Sequence, residues 1–434
     1  MAHDQIALAF SIQTPDASAS LTVDVFQPGM KIAYFVPYVP NLIRVRPYQL
    51  IAHLSALGAE VTVFTVTTNE GDVEDAKALK RLCHAVVREH QPAWRSYWQS
   101  LAALPARQPL QSVYSWNPTL VERFFKLCDA SSCFDVVHVE HLRGSMFGTT
   151  IRSRMPSLPV VWDSVDCISH LFELTSSESR SVFGRLISTL DLNRTRNWEG
   201  QLSSAFDHVT ITSQAEKEAL LRLASDTPSA VTVLPNGVDM EYFRPGADAQ
   251  RDLETIVFSG KMSYHANVSM ADFLAREIMP KIWEKRPNVK LIIVGKDPPA
   301  NITALQADPR IIVTGTVADI RPYLQQATVA AVPLLYGAGI QNKILEAMAC
   351  KTPVVTNMKA MNALQAKPGE DVLVADTAEE FSGEILSLIE EPALQQRVGQ
   401  AGLEYVRKHH DWTALAGKLI RIYQGVIEQA GTNA

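Results

Sequence analysis

The stretch Gly337-Ala338-Gly339-Ile340-Gln341-Asn342-Lys343-Ile344-Leu345-Glu346-Ala347-Met348-Ala349 decides how the rest of the chain reads. It follows an apolar run at 329–335 and passes from turn residues into helical spacing. A glycine-rich turn lets backbone N–H groups approach a phosphate, and the start of a helix favours negative charge. Lys343 falls in the first turn or so of that helix, within reach of a diphosphate. Glu346, about one turn on, is suited to accept hydrogen bonds from two adjacent hydroxyls, as a ribose offers. Two glycines alone read better as a tight turn and an ordinary helix-surface ion pair. The whole string favours the ligand-binding reading.

Working outward, short β-branched runs alternate with helical stretches in both halves. The first half predicts strands at 32–36, 61–66, 136–139, 160–162 and 209–212; the second predicts 256–259, 290–294, 311–313, 329–332, 354–356 and 372–374. Continuous apolar strands separated by helices indicate parallel sheets covered on both faces. Leu234-Pro235-Asn236-Gly237-Val238-Asp239, with Tyr242-Phe243-Arg244-Pro245 behind it, is turn-rich and marks a connection. The expected organisation is an appendage at 1–29, a Rossmann-like domain at 30–234, a linker at 235–252 and a second Rossmann-like domain at 253–411. Leu415, Leu419, Ile422 and Val426 predict a closing helix within 412–434 that packs back on the first domain. Ligand sites in such sheets lie beyond the carboxyl ends of the strands, which puts the expected site in the cleft between two facing sheets.

The bulk numbers narrow the class. A chain of 434 residues holds two or three domains, and 47% hydrophobic with 20% charged residues suits a soluble globular enzyme. A net charge of −6 gives no general reason to bind nucleic acid. Cys83, Cys128, Cys133, Cys167 and Cys350 are odd in number and form no Cys-x-x-Cys, so reduced thiols in a cytosol are expected rather than disulfides or a zinc site. Residues 1–29 lack the basic start and apolar core of a secretory signal. No apolar run approaches the ~20 residues that span a bilayer. A cytoplasmic protein is expected, at most at the inner face of the membrane. Trp94, Tyr97 and Trp98 alternate with Arg88 and Arg95 on a predicted helix. Such a face suits a membrane surface or a lipid-linked acceptor; core packing with exposed arginines is the plainer reading.

Leu345-Glu346-Ala347-Met348-Ala349-Cys350-Lys351-Thr352-Pro353-Val354-Val355 resembles the C-terminal signature of family-4 retaining glycosyltransferases, which have the GT-B fold. Pro235-Asn236-Gly237-Val238-Asp239 with Phe243 and Pro245 resembles their interdomain connection. Phe258-Ser259-Gly260-Lys261, Leu291-Ile292-Ile293-Val294-Gly295 and the Tyr405…Trp412 segment fit as well. The likeness runs from about Lys31 onward and is most specific over 231–376. It implies a nucleotide diphosphate sugar as donor, UDP-glucose by family frequency. The N-terminal domain would take a carbohydrate, lipid-linked or small-molecule acceptor, and the anomeric configuration would be retained. Gly260, Lys261, Gly337, Gly339, Ile340, Lys343, Glu346 and Asn236 would line the donor site.

The chain also departs from that pattern. Glu346 matches the second glutamate of the family's Glu-x7-Glu motif, which implies contact with the ribose; the first position holds Ala338. Backbone N–H groups of Gly339-Ile340 are a possible substitute. Lys261 stands where the family commonly has Arg, and Tyr264-His265-Ala266-Asn267 lacks the following Lys. Lys343 is the candidate for the displaced cation. Charge developing on a departing diphosphate is stabilised by fixed cations and helix N–H groups without a metal, and none is expected. Asp163-Ser164-Val165-Asp166 has the wrong spacing for a metal-binding Asp-x-Asp and reads as a helix cap.

In the N-terminal half, Phe134-Asp135-Val136-Val137-His138-Val139-Glu140-His141 ends a strand with three titratable groups. A carboxylate or imidazole there can orient an acceptor hydroxyl or take its proton. Glu140 and His141 are the leading catalytic candidates, His138 the third. In the loop after the first strand, Arg44 and Arg46 are candidates for phosphate or an anionic acceptor, a solvated pair being the alternative. Two other readings compete with transfer: a GT-B nucleotide-sugar epimerase, and a catalytically silent nucleotide-sugar-binding protein signalled by Ala338. The first strand runs into Pro37-Tyr38-Val39-Pro40 without Gly-x-Gly-x-x-Gly, and no Gly-x4-Gly-Lys-Ser/Thr occurs, which disfavours a nicotinamide enzyme and a P-loop nucleotidase.

Overall fold

The computed structural model describes residues 29–41, 43–130, 134–175, 182–224, 227–246, 251–336 and 339–433. The expectations for residues 1–28 and for Gly337 and Ala338 lie outside them. The first sheet holds β1 (Lys31–Val36), β2 (Glu60–Thr67), β3 (Ala85–His90), β4 (Val136–Glu140), β5 (Val160–Val165), β6 (His208–Ile211) and β7 (Ala230–Val233). The second holds β8 (Asp252–Ser259), β9 (Lys290–Val294), β10 (Ile311–Gly315), β11 (Ala327–Val332), β12 (Val354–Thr356) and β13 (Leu373–Val374). Their orders are β3-β2-β1-β4-β5-β6-β7 and β10-β9-β8-β11-β12-β13. Every pairing between these strands is parallel. The central strands are buried along nearly their whole length, β11 at every residue, because helices cover both faces. Strand order reverses between β1 and β4 and between β8 and β11, so the crevices that take ligands open there.

Two strands, β3 and β7, were not predicted. Both are sheet edges, and Arg88-Glu89-His90 in β3 is a polar, half-exposed sequence without a continuous apolar run. The predicted linker runs one residue too far, because its last residue, Asp252, already belongs to β8.

The helix Trp412–Asn433 lies on the first sheet. Trp412, Leu415, Leu419, Tyr423 and Val426 share a core with Ile32, Tyr34, Leu50, Leu54, Val61 and Val161. Each such side chain contributes about 1.5–3 kcal/mol on burial. The chain therefore crosses between domains twice, and the crossings touch. Val238 pairs with Asp411 as an isolated bridge, and Val238 N donates to His410 O at 2.8 Å. A Cβ on Gly237 would stand 2.6 Å from Cδ2 of Trp412 and 2.8 Å from His410 O, so only glycine lets the two segments pass. His410 Nδ1 donates to Asn236 O at 2.6 Å, and its Nε2 accepts from the Tyr405 hydroxyl at 3.0 Å. Burial holds this imidazole neutral, its pKa lowered to about 4.

Candidate active site

On the second sheet, the ends of β8 and β9 nearly touch. A Cβ on Gly295 would lie 1.8 Å from Gly260 O, and one on Gly260 would lie 2.7 Å from Asn267 Nδ2. These glycines let the backbone turn tightly into Lys261, whose exposed side chain has no ion pair among the described residues. Asn267, on the helix His265–Phe273, joins the two basic positions. Its Nδ2 donates to Lys261 O at 2.9 Å, and its Oδ1 accepts from Lys343 Nζ at 2.9 Å. Lys343 Nζ also reaches Gln341 Oε1 at 3.4 Å and sits 5.7 Å from the Phe258 ring centroid.

Lys343 lies in the first turn of the helix Asn342–Ala349, whose N-cap residue Gln341 makes no side-chain cap; Tyr264 makes none for His265–Phe273 either. Two uncapped helix starts, each with the partial positive charge of its free amides, thus flank two lysines. Burial lowers the Lys343 pKa to about 8 against the pull of Glu346, and burial raises Glu346 to about 6 against Lys343. Gly339 precedes this helix at φ 80°, and Ile340 packs on the domain core. Just before that turn, the Tyr336 hydroxyl bonds His265 Nδ1 and lies 3.0 Å from Ser269 Oγ, tying the loop to the neighbouring helix.

Across the cleft, two non-glycine residues adopt left-handed backbone at the ends of adjacent strands: His141 after β4 and Val165 closing β5, both at φ 65°. Each such conformation costs on the order of 1–3 kcal/mol, and the β-branched valine is the more unusual. His141 Nδ1 accepts from Arg143 N at 3.2 Å, which places the proton of the neutral ring on Nε2. Burial, then Arg143, lowers its pKa to about 4. After Val165 comes Asp166, raised to about 6 by burial and by Glu216. Its Oδ1 accepts from the Thr212 hydroxyl at 3.3 Å; its Oδ2 has no hydrogen-bond partner among the described residues. Asp166 Oδ1 also lies 3.9 Å from the place of a Cβ on Gly339, so the two domains meet here. Asp166 reads in the sequence only as part of a cap; the local signal for more is its place at a strand's carboxyl end. Asn267 gave none beyond standing where a lysine was missing.

Several expectations are corrected. The helix Ile168–Thr175 is capped not by the aspartates but by Glu199, which accepts from Ile168 N at 2.6 Å and Ser169 N at 3.1 Å, with Glu216 taking Cys167 N at 2.7 Å. His138 is fully buried, stacks on Tyr34 at 4.1 Å and meets the Tyr423 hydroxyl through Nδ1 at 2.8 Å. It joins the closing helix to the sheet and cannot meet a substrate. Glu140 is 1% exposed and accepts from the Tyr38 hydroxyl at 2.8 Å and the Tyr34 hydroxyl at 3.3 Å. Burial first, then Asp163, raises its pKa to about 8, so it is an enclosed carboxyl and not a base facing an acceptor.

Arg46 is 6% exposed, and Asp163 takes its Nε at 2.9 Å and its Nη2 at 3.2 Å. Its Nη1 bonds Pro235 O and Asn236 Oδ1, both at 3.1 Å. Arg46 and Asn236 therefore fasten the interdomain connection; no free edge of the guanidinium is left for a phosphate. Arg44 lies 4.7 Å over the Tyr38 ring, donates to Val39 O at 3.1 Å and stays partly exposed. Among the described residues, no group of three His, Cys, Asp or Glu could hold a metal ion.

Two facing, doubly wound sheets with a cationic helix-start site on one and a strained strand end on the other define a transferase of the GT-B architecture. Family models for "Glycosyl transferase 4-like domain" and "Glycosyl transferases group 1" match residues 43–237 and 254–391. The chain belongs to the group 1 glycosyltransferases, in the family-4-like branch. It is 26% identical to the D-inositol 3-phosphate glycosyltransferase of Segniliparus rotundus, over 53% of this chain and 54% of that protein. The like-named protein of Corynebacterium aurimucosum is 21% identical over 85% of this chain and 87% of its own length. The alignment thus spans about half the length of the first of these relatives. Among solved structures, sucrose-phosphate synthase from Thermosynechococcus elongatus superimposes with TM-score 0.65 at 20% identity, covering 92% of this chain and 99% of that one. Anabaena HepE, solved in complex with UDP, gives TM-score 0.62 at 16% identity over 91% and 100%. Among the described residues, no helix is long and apolar enough to cross a membrane.

Proposed function

We propose that the chain transfers a hexose from a nucleoside diphosphate sugar, a UDP-sugar first, to an acceptor hydroxyl with retention of configuration, in the cytoplasm and without a metal. The observation that carries this reading is the Lys261–Asn267–Lys343 arrangement between two uncapped helix starts, with Glu346 one turn onward. As the bond from the sugar to the diphosphate breaks, its electron pair leaves on the phosphate oxygen. Lys343, Lys261 and the helix amides stabilise that charge. Glu346 accepts the ribose hydroxyls. The Nε2–H of His141 faces the sugar, and Asp166, ionised above about 6, orients the acceptor hydroxyl or takes its proton as the new bond forms. Similarity to proteins named as acting on inositol 3-phosphate and making maltose 1-phosphate supports a hydroxyl on a small phosphorylated or glycan acceptor.

The test is calorimetric titration with UDP, GDP, ADP, TDP and their glucose conjugates in EDTA. Tight binding of one diphosphate is expected, and Glu346→Ala should weaken it by about 1–3 kcal/mol. Binding to none of them refutes the donor site. Ala338 favours one second reading, a protein that binds nucleotide sugar without turnover. Binding with neither transfer nor hydrolysis would establish it.

A further inference from the structure

The helix Ala93–Ala102 is amphipathic the wrong way round for a helix on a water-facing domain. Its polar side chains point inward: Ser96 is buried and accepts from Gln91 Nε2 at 2.9 Å, and Gln99 donates to Trp116 O at 3.1 Å. Gln91 Nε2 also reaches Tyr114 O at 2.8 Å, so the helix is pinned to the body through hydrogen bonds. Its large apolar side chains face out. Trp94 is 64% exposed, Tyr97 66%, Trp98 64% and Leu101 54%, with Leu104 at 43% just beyond the helix. The spacing 94, 97, 98, 101 is a single helical stripe. The core packing that the sequence favoured for these aromatics is overturned.

A stripe of this kind needs an occupant, and charge says which. From Gln91 to Asn117 there are two arginines, Arg95 and Arg107, and no Asp or Glu, in a chain whose net charge is −6. Tryptophan and tyrosine with leucine and flanking arginine suit the boundary between acyl chains and anionic headgroups. We propose that this face seats the protein on an anionic bilayer surface, with Trp94, Tyr97, Trp98 and Leu101 entering the headgroup layer and Arg95 and Arg107 meeting lipid phosphates. The face also connects to the cleft. Tyr97 meets Tyr114 edge-on at 6.0 Å, Arg143 lies 5.6 Å over Tyr114, and Arg143 N donates to His141. Docking would therefore hold the acceptor side of the cleft near the membrane, where an acceptor carried on a lipid is delivered; this last part rests on the glycosyl-transfer reading.

The experiment is co-sedimentation of the full chain with vesicles of phosphatidylcholine alone and with one-third phosphatidylglycerol, followed by tryptophan emission. Sedimentation with the anionic vesicles and a blue shift are expected, and Trp94→Ser with Trp98→Ser should cut partitioning at least tenfold. Nucleotide affinity should stay unchanged in that variant, which shows that it is folded. Failure of the wild type to sediment, or equal sedimentation of the variant, overturns the proposal. So does a wild-type dimer that the variant dissolves, because the stripe would then belong to a second copy. Nucleotide binding without vesicle binding sinks this inference alone; vesicle binding without nucleotide binding sinks the transferase reading alone.

Discussion

Lys343 keeps its ammonium on Asn267 in a half-buried position, and its lowered pKa, about 8, puts the loss of its charge within ordinary buffers. Diphosphate affinity should therefore fall as pH rises from 7.5 to 9. Lys343→Ala should bind about 1.5–3 kcal/mol more weakly and show no such decline. Calorimetry across that range checks both, and a wild type with a flat profile would remove Lys343 from the phosphate. Glu140 offers a stability test instead. Its folded pKa, about 8, stands above the ordinary 4.5, so the folded state holds a proton that the unfolded state has lost between those values. Stability from this group is present below about 4.5 and is lost as pH rises through 8. His138 works in another window: its folded pKa of about 4 lies below 6.5, so its contribution is lost as pH falls between the two. Between pH 6.5 and 8, thermal melting of Glu140→Gln should decline less steeply than that of the wild type. Parallel slopes would show that Glu140 titrates normally.

At the scale of elements, the approach of β8 to β9 is the most demanding joint of the second domain. Gly295→Ala places a methyl 1.8 Å from Gly260 O, so the strand ends must separate. The expected result is a loss of several kcal/mol, of the overpacking kind, together with weakened nucleotide binding. Denaturant unfolding beside calorimetry measures both, and wild-type values in each would mean that the turn adjusts freely. Elements bounded by local chemistry were legible in the sequence. The runs 290–294 and 354–356 coincide with β9 and β12 because buried β-branched residues there stop at turn signals. The helix that begins at Asn342 was legible for the same reason. What escaped reading was set by distant partners. Arg46 meets Asp163 across 117 positions, Tyr34 meets Glu140 across 106, and Tyr423 meets His138 across 285. No local pattern shows such pairings, so a buried clamp and an enclosed carboxyl looked like ligand groups. Asp166 is not legible as a site residue from local sequence, because its opposite number, Gly339, lies on the other domain.

The whole molecule turns on two chain crossings packed at Gly237, Trp412 and His410. Gly237→Ala should force them apart, lowering stability by about 1–3 kcal/mol and altering the closure of the domains. Small-angle scattering with and without nucleotide, beside thermal melting, tests this; an unchanged melt would show that the crossings have slack. Breaking the Arg46–Asp163 pair in the same hinge by Arg46→Met should be costlier, about 3–5 kcal/mol, because Asp163 is left buried and unpaired. The return of the second crossing has a further consequence for how the protein is made. On the ribosome, residues 30–234 emerge long before Trp412, Leu419 and Tyr423, which complete the face of β1, β4 and β5. Of the two domains the earlier made is thus the last to close, and its nascent sheet must keep an oily surface out of aggregates while the whole second domain is translated.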